Sequence, residues 1–77
     1  MEVKINLNGF EDISNFIDEI NNNIKSDVDA IRDSQVVDAR SFLGIVSLAT
    51  TYIKVRINSD DDSEISTFAK ICRKYEV

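Results

Sequence analysis

Apolar residues change their spacing along this chain, and those changes leave little choice of architecture. Ile13, Phe16, Ile17, Ile20 and Ile24 recur at three- and four-residue intervals, the single apolar stripe of an amphipathic helix. Ahead of them Val3, Ile5 and Leu7 alternate with Lys4, Asn6 and Asn8, which predicts a strand with one buried face. Asn8-Gly9 separates the two patterns, and Glu11 and Asp12 suit the positive end of the helix dipole. A one-striped helix and a one-faced strand each need a cover, and packing together supplies it.

The rest of the chain repeats the theme. Residues 27–32 and 35–38 flank Asp33-Ser34, which reads as a two-residue hairpin turn. That register pairs Ala30 with Val37 on the buried face and Ile31 with Val36 on the other. Ser41 can cap a short helix running to about Leu48. Ile53, Val55 and Ile57 then alternate with Tyr52, Lys54 and Arg56, the cleanest strand pattern in the sequence. A last helix carries Ile65, Phe68, Ala69, Cys72 and Tyr75 on one face, and Asp61 followed by Glu64 resembles a capping box. The order is β-α-β-β-α-β-α. It predicts an α+β domain, an open-faced sandwich with helices on one face of a small antiparallel sheet and water on the other.

Composition excludes several function classes. Seventy-seven residues predict one domain, spanning 1–77, and one cysteine cannot form an internal disulfide, which suits a reducing cytoplasm. The alternating start has no continuous apolar stretch, so neither a signal peptide nor a membrane span is expected. Net charge of −5 without a basic cluster argues against a nucleic-acid partner. No Gly-rich phosphate loop, nucleophile–base pair or metal-ligand cluster is visible, so no enzyme, cofactor or metal is expected. Asp60-Asp61-Asp62 lacks the alternating ligands and central glycine of a calcium loop and reads as a helix cap. Cys72 reads as a buried, inert thiol. Tyr52, Lys54 and Arg56 on the open strand face read as solvated, with an interaction surface as the alternative.

One segment goes further. Ser26-Asp27-Val28, Val37-Asp38-Ala39-Arg40-Ser41, Leu43-Gly44-Ile45 and Ser47-Leu48-Ala49 resemble the HPr family of phosphocarrier proteins. The resemblance covers the whole chain in element order, which implies a four-stranded sheet, and is residue-specific from 27 to 49. In Gram-positive members the serine matching Ser41 is phosphorylated by a dedicated kinase, and the modified form binds regulatory partners. Ser41 is therefore either a helix cap alone or a phospho-acceptor as well, with Arg40 beside it as a candidate partner-binding cation. Ile45 and Leu48 are expected in the core. Phe42, Leu43 and Val46 form a second apolar stripe, at positions that dock enzymes and regulators in HPr relatives. The alternative is that loops after Gly9 or Asn58 cover that stripe.

HPr proteins also carry a Gly-x-His-Ala-Arg-Pro motif whose histidine accepts the phosphoryl group and whose arginine stabilises its charge. The matching stretch is Gly9-Phe10-Glu11-Asp12-Ile13-Ser14, and the chain has no histidine at all. Glu11 stands for the histidine, Ile13 for the arginine and Ser14 for the proline, leaving a degenerate site of Glu11, Asp12 and Ile13. Regulatory relatives of the Crh type lack the histidine but keep the serine, the arginine and the proline. The expectation is a non-catalytic regulatory module of the phosphotransferase-system type, its partners including a serine kinase or a transcriptional regulator. Two other readings stay open: a degenerate phosphocarrier using Glu11 or Asp12, and a structural domain. The latter would be a monomer or a weak homodimer through the open sheet face at Ile31 and Val36.

Overall fold

The structure, a computed structural model, describes residues 1–48 and 52–77. Its elements are β1 (Glu2–Ile5), α1 (Gly9–Asn23), β2 (Val28–Arg32), β3 (Gln35–Asp38), α2 (Phe42–Leu48), β4 (Ile53–Ile57) and α3 (Asp62–Arg73). The strands form one antiparallel sheet in the order β1-β4-β2-β3. The hairpin has the expected register, Ala30 opposite Val37 and Ile31 opposite Val36. Asp33 opens its turn at φ +54°, in the left-handed region that aspartate tolerates better than most residues. Ala49, the last residue of the segment that resembles HPr, lies outside the described residues.

All three helices cover the same face of the sheet. Val3, Ile5, Val28, Ala30, Val55 and Ile57 point into the core from the strands, and Ile13, Phe16, Ile17 and Ile20 meet them from α1. Phe16 and Phe68 are fully buried, each stabilising the fold by about 1.5–3 kcal/mol. The opposite face carries Glu2, Lys4, Lys54 and Arg56. Along one end of it Arg56 bonds Asp29 at 2.9 Å and approaches Glu2 at 3.9 Å, and Asn58 adds a 3.0 Å bond to Asp29. The Arg56 bond holds the Asp29 carboxyl below its ordinary value. No helix of the described residues is long and apolar enough to cross a membrane.

Three local features differ from the sequence pattern. β1 ends at Ile5, so Leu7 is buried without being part of the sheet. Instead the Asn6 amide donates to the Tyr75 carbonyl at 2.8 Å and the Val77 amide to the Lys4 carbonyl at 3.1 Å. Ile71 is buried on α3 whereas Ile65 and Ala69 are only half-buried, and Tyr75, beyond the helix, meets Phe16 edge-on at 5.8 Å. Glu64 does not close a capping box. Asp61 does cap α3, accepting from the Ser63 and Glu64 amides. The Glu64 carboxylate instead reaches the connection between α1 and β2, accepting from the Lys25 amide at 2.7 Å, the Ser26 amide at 3.1 Å and the Ser26 hydroxyl at 2.5 Å.

Two titratable groups register this packing. Burial, with Glu76 adding to it, pushes the Cys72 thiol up to about 12, so the thiolate that would be reactive is suppressed. The Ser26 hydroxyl bond, followed by the Lys25 amide, draws Glu64 from its ordinary 4.5 down to about 2. A depressed carboxyl contributes its full stability above the unfolded value and loses it as pH falls toward the folded value. Wild-type protein should therefore melt higher than Glu64→Gln at pH 6. The gap should close between pH 4.5 and 2 in thermal scans of the two proteins followed by circular dichroism. A gap that stays constant over that window would show that the Glu64 charge is not involved.

Candidate protein-binding site

The short helix α2 is assembled from its ends inward. Ser41 precedes it, its amide bonded to the Asp38 carbonyl at 2.9 Å and its Oγ accepting from the Gly44 amide at 3.0 Å. The Ile45 amide donates to the Ser41 carbonyl at 2.9 Å, closing the first turn. Before the cap, the Arg40 amide donates to Asp38 Oδ1 at 2.9 Å and its guanidinium donates to the Ile24 carbonyl at 2.7 Å, where α1 ends. At the other end the Arg32 guanidinium donates to the Leu48 carbonyl at 2.9 Å. Two arginines thus tie a seven-residue helix to the elements beside it. Arg40 is half-buried, so this cation has a structural anchor and is not a freely presented charge.

Ile45 and Leu48 enter the core, which turns the other side of α2 outward. Leu43 is 78% exposed and Phe42 36% exposed, while Val46 is half-buried and packs against the core. The outward surface does not stop at α2. Phe10, in the first turn of α1 and 67% exposed, places its ring 5.8 Å from that of Phe42, tilted by 57°. Phe10, Phe42 and Leu43 form an apolar ridge across two elements with Val46 at its base. Phe10 meets Phe42 but does not bury it.

Phe10 is the residue that sequence reasoning missed. It is in phase with Ile13 and Ile17, so periodicity alone makes it one more core residue. What betrays it is position: it sits in the first turn, directly before Glu11 and Asp12.

The degenerate site has become part of the scaffold. Gly9 takes φ +82°, a left-handed turn that opens α1, and Asp12 Oδ2 accepts the Asn8 amide at 2.9 Å. Ile13 is 3% exposed and belongs to the core. Glu11 is exposed, and among the described residues neither Glu11 nor Asp12 makes an ion pair. A phosphoryl group arriving there would meet two carboxylates with no cation paired to them.

Gly44 shows how tightly α2 is set. A Cβ added there would lie 3.0 Å from Ser41 Oγ, 3.1 Å from Ser41 Cβ and 3.2 Å from Val37 Cβ. In an unconstrained helix interior Gly→Ala gains about 1 kcal/mol. Gly44→Ala should forfeit that gain and destabilise the protein, because Ser41 is held as a cap and Val37 by its strand. Ser41→Ala should cost about 1 kcal/mol through loss of the cap. Urea unfolding of the two variants checks both values, and a stabilised Gly44→Ala would show that the cap is loose.

No protein-family model matches this sequence, and no curated protein matches it. Solved structures do. The chain is similar to a crystal structure of HPr-C-His from Thermoanaerobacter tengcongensis, with a TM-score of 0.71 at 19% identity over 96% of this chain and 92% of that one. It is also similar to a phosphocarrier protein HPr from Bacillus anthracis str. Ames, with a TM-score of 0.73 at 17% identity over 99% and 96% of the two chains. With its β-α-β-β-α-β-α order and four-stranded antiparallel sheet, the chain has an HPr-like fold.

Proposed function

We propose that this chain is a non-catalytic, cytoplasmic protein-binding module of the phosphotransferase and carbon-regulation type, docking through Phe10, Phe42 and Leu43. The exposed Phe10–Phe42 contact with Leu43 beside it carries the reading. Apolar side chains gathered from two elements and left in water are costly unless something covers them, and such patches mark interfaces. The likeness of fold to HPr structures, one of them a phosphocarrier protein, supports the phosphotransferase-type reading. Its partners are proteins, among them a serine kinase or a transcriptional regulator.

Ser41 is the switch in this proposal. Its hydroxyl is exposed, and a phosphate on Oγ would set up to about −2 charge next to Phe42 and Leu43. An apolar partner groove would then be disfavoured and a basic one favoured. The carrier alternative lacks support from the site: Asp12 accepts the Asn8 amide and Ile13 is in the core. Incubation with phosphoenolpyruvate and the general phosphotransfer enzyme should leave the intact mass unchanged. A labile species about 80 Da heavier, one phosphoryl group, would restore the carrier reading.

Leu43→Asp tests the docking surface better than a change at half-buried Val46. It should alter stability by no more than about 0.5 kcal/mol, as at ordinary surface sites, yet weaken capture of partners in a pull-down. Unchanged capture by a folded variant would sink the patch. An HPr-type serine kinase should add one phosphate to wild type and none to Ser41→Ala. No modification of wild type would leave Ser41 a cap alone.

A further inference from the structure

The open face of the sheet, away from the helices, holds a second arrangement that a solvated surface does not explain. Lys4 of β1 and Lys54 of β4 stand directly opposite each other in the antiparallel register, and Ile31 of β2 follows Lys54 in the same row. Like charges opposite one another across a strand pair are destabilising. This occurs in a chain with 14 acidic and nine basic residues, where a carboxylate partner would be easy to supply.

Two nearby carboxylates are committed elsewhere, and a third, Asp33, lies at the hairpin-turn end of the same cleft. Glu2 and Asp29 both face Arg56 in the adjoining row, and Asp29 also takes the Asn58 amide. Among the described residues neither Lys4 nor Lys54 makes an ion pair. Lys4 Nζ instead lies 4.8 Å over the ring of Tyr52, a cation–π contact that positions the ammonium without neutralising it.

These residues border a cleft of about 350 Å³ that continues past Ile31 and Tyr52 to Arg32 and Asp33 at the hairpin turn. Its volume falls in the range of small-molecule sites, about 300–1,000 Å³. The cleft therefore combines two lysines from directly opposed strand positions with apolar surface from Ile31 and Tyr52. We propose that it binds a small phosphate monoester. The dianion sits between Lys4 and Lys54 and relieves their repulsion, and the organic group lies against Ile31 and Tyr52. A single carboxylate would leave one ammonium unneutralised, whereas a phosphate monoester carries close to two charges at neutral pH. The site lies on the opposite side of the sheet from the Phe10–Phe42 ridge and does not depend on the proposal made for that ridge.

Amide NMR titrations at constant ionic strength test this, using phenyl phosphate, inorganic phosphate and phenol as probes. Phenyl phosphate should give saturable shifts centred on Lys4, Ile31, Tyr52 and Lys54, with a Kd of about 1 mM or tighter. Inorganic phosphate should bind several-fold more weakly and phenol should not saturate. Lys54→Gln should weaken phenyl phosphate about tenfold or more while keeping the amide spectrum of the fold and a melting temperature at or above that of wild type. The proposal is overturned by shifts that do not saturate or that spread evenly over the surface. It is equally overturned by undiminished binding to folded Lys54→Gln, or by equal affinity for inorganic phosphate, which would assign an anion site without an ester pocket.

Discussion

Everything in this molecule depends on covering one face of a four-stranded sheet. β4 is the hinge of that arrangement, because it pairs with β1 on one side and β2 on the other. Its inward residues Ile53, Val55 and Ile57 are all buried, and its outward ones are charged. That alternation decides which way the sheet faces, and a slip by one residue would drive Lys54 and Arg56 into the core. The helices then follow, each offering one stripe to the apolar face of the sheet. The stripe of α1 that covers the sheet is Ile13, Phe16, Ile17 and Ile20, and Phe10, one turn earlier, is left outside it.

A domain of this size has little core with which to hold its connections, and polar anchors do that work. A helix as short as α2 is not stable alone in water. It persists because Arg40, just before it, is anchored to the Ile24 carbonyl at the end of α1, Arg32 holds the Leu48 carbonyl at its last residue, Ser41 fills the capping position, and Ile45 and Leu48 enter the core. Glu64 works similarly at longer range, since one carboxylate at the start of α3 satisfies both amides where α1 gives way to β2. Lys74, just past the end of α3, pairs with Glu19 of α1 at 2.6 Å. The ridge on α2 is thus presented by a fixed platform, which lowers the entropic cost of docking.

The elements and their order were legible because each rests on local chemistry. The hairpin register needed only a two-residue turn and the alternation of Ala30, Val37, Ile31 and Val36. The caps at Ser41 and Asp61 likewise follow from residue type and position. What sequence could not disclose were side chains whose partners are remote in the chain. Glu64 looks like half of a capping box until Lys25 and Ser26 are brought to it. Arg40 looks like a free cation until the end of α1 arrives beside it. Val46 looks as exposed as Leu43, because a two-turn helix gives periodicity too few residues to separate a half-buried position from an open one. The segment resembling HPr was readable for fold for the same reason: it lists the residues that shape the hairpin and the helix after it, and these serve the architecture whatever the function.

The tail beyond α3 has a further consequence. By bonding to Lys4 and Asn6 it covers the end of β1's outer edge, where main-chain groups already have partners. β3 lies at the opposite margin and pairs only with β2 among the strands. The β3 margin is the one along which a second strand could pair over a whole strand length. Displacing residues 75–77 would free the Lys4 carbonyl and the Asn6 amide to pair with another strand. Residues 75–77 thus stand where an added strand would have to pair with the end of β1, an obstruction set by where the backbone lies and nearly independent of which side chains it carries.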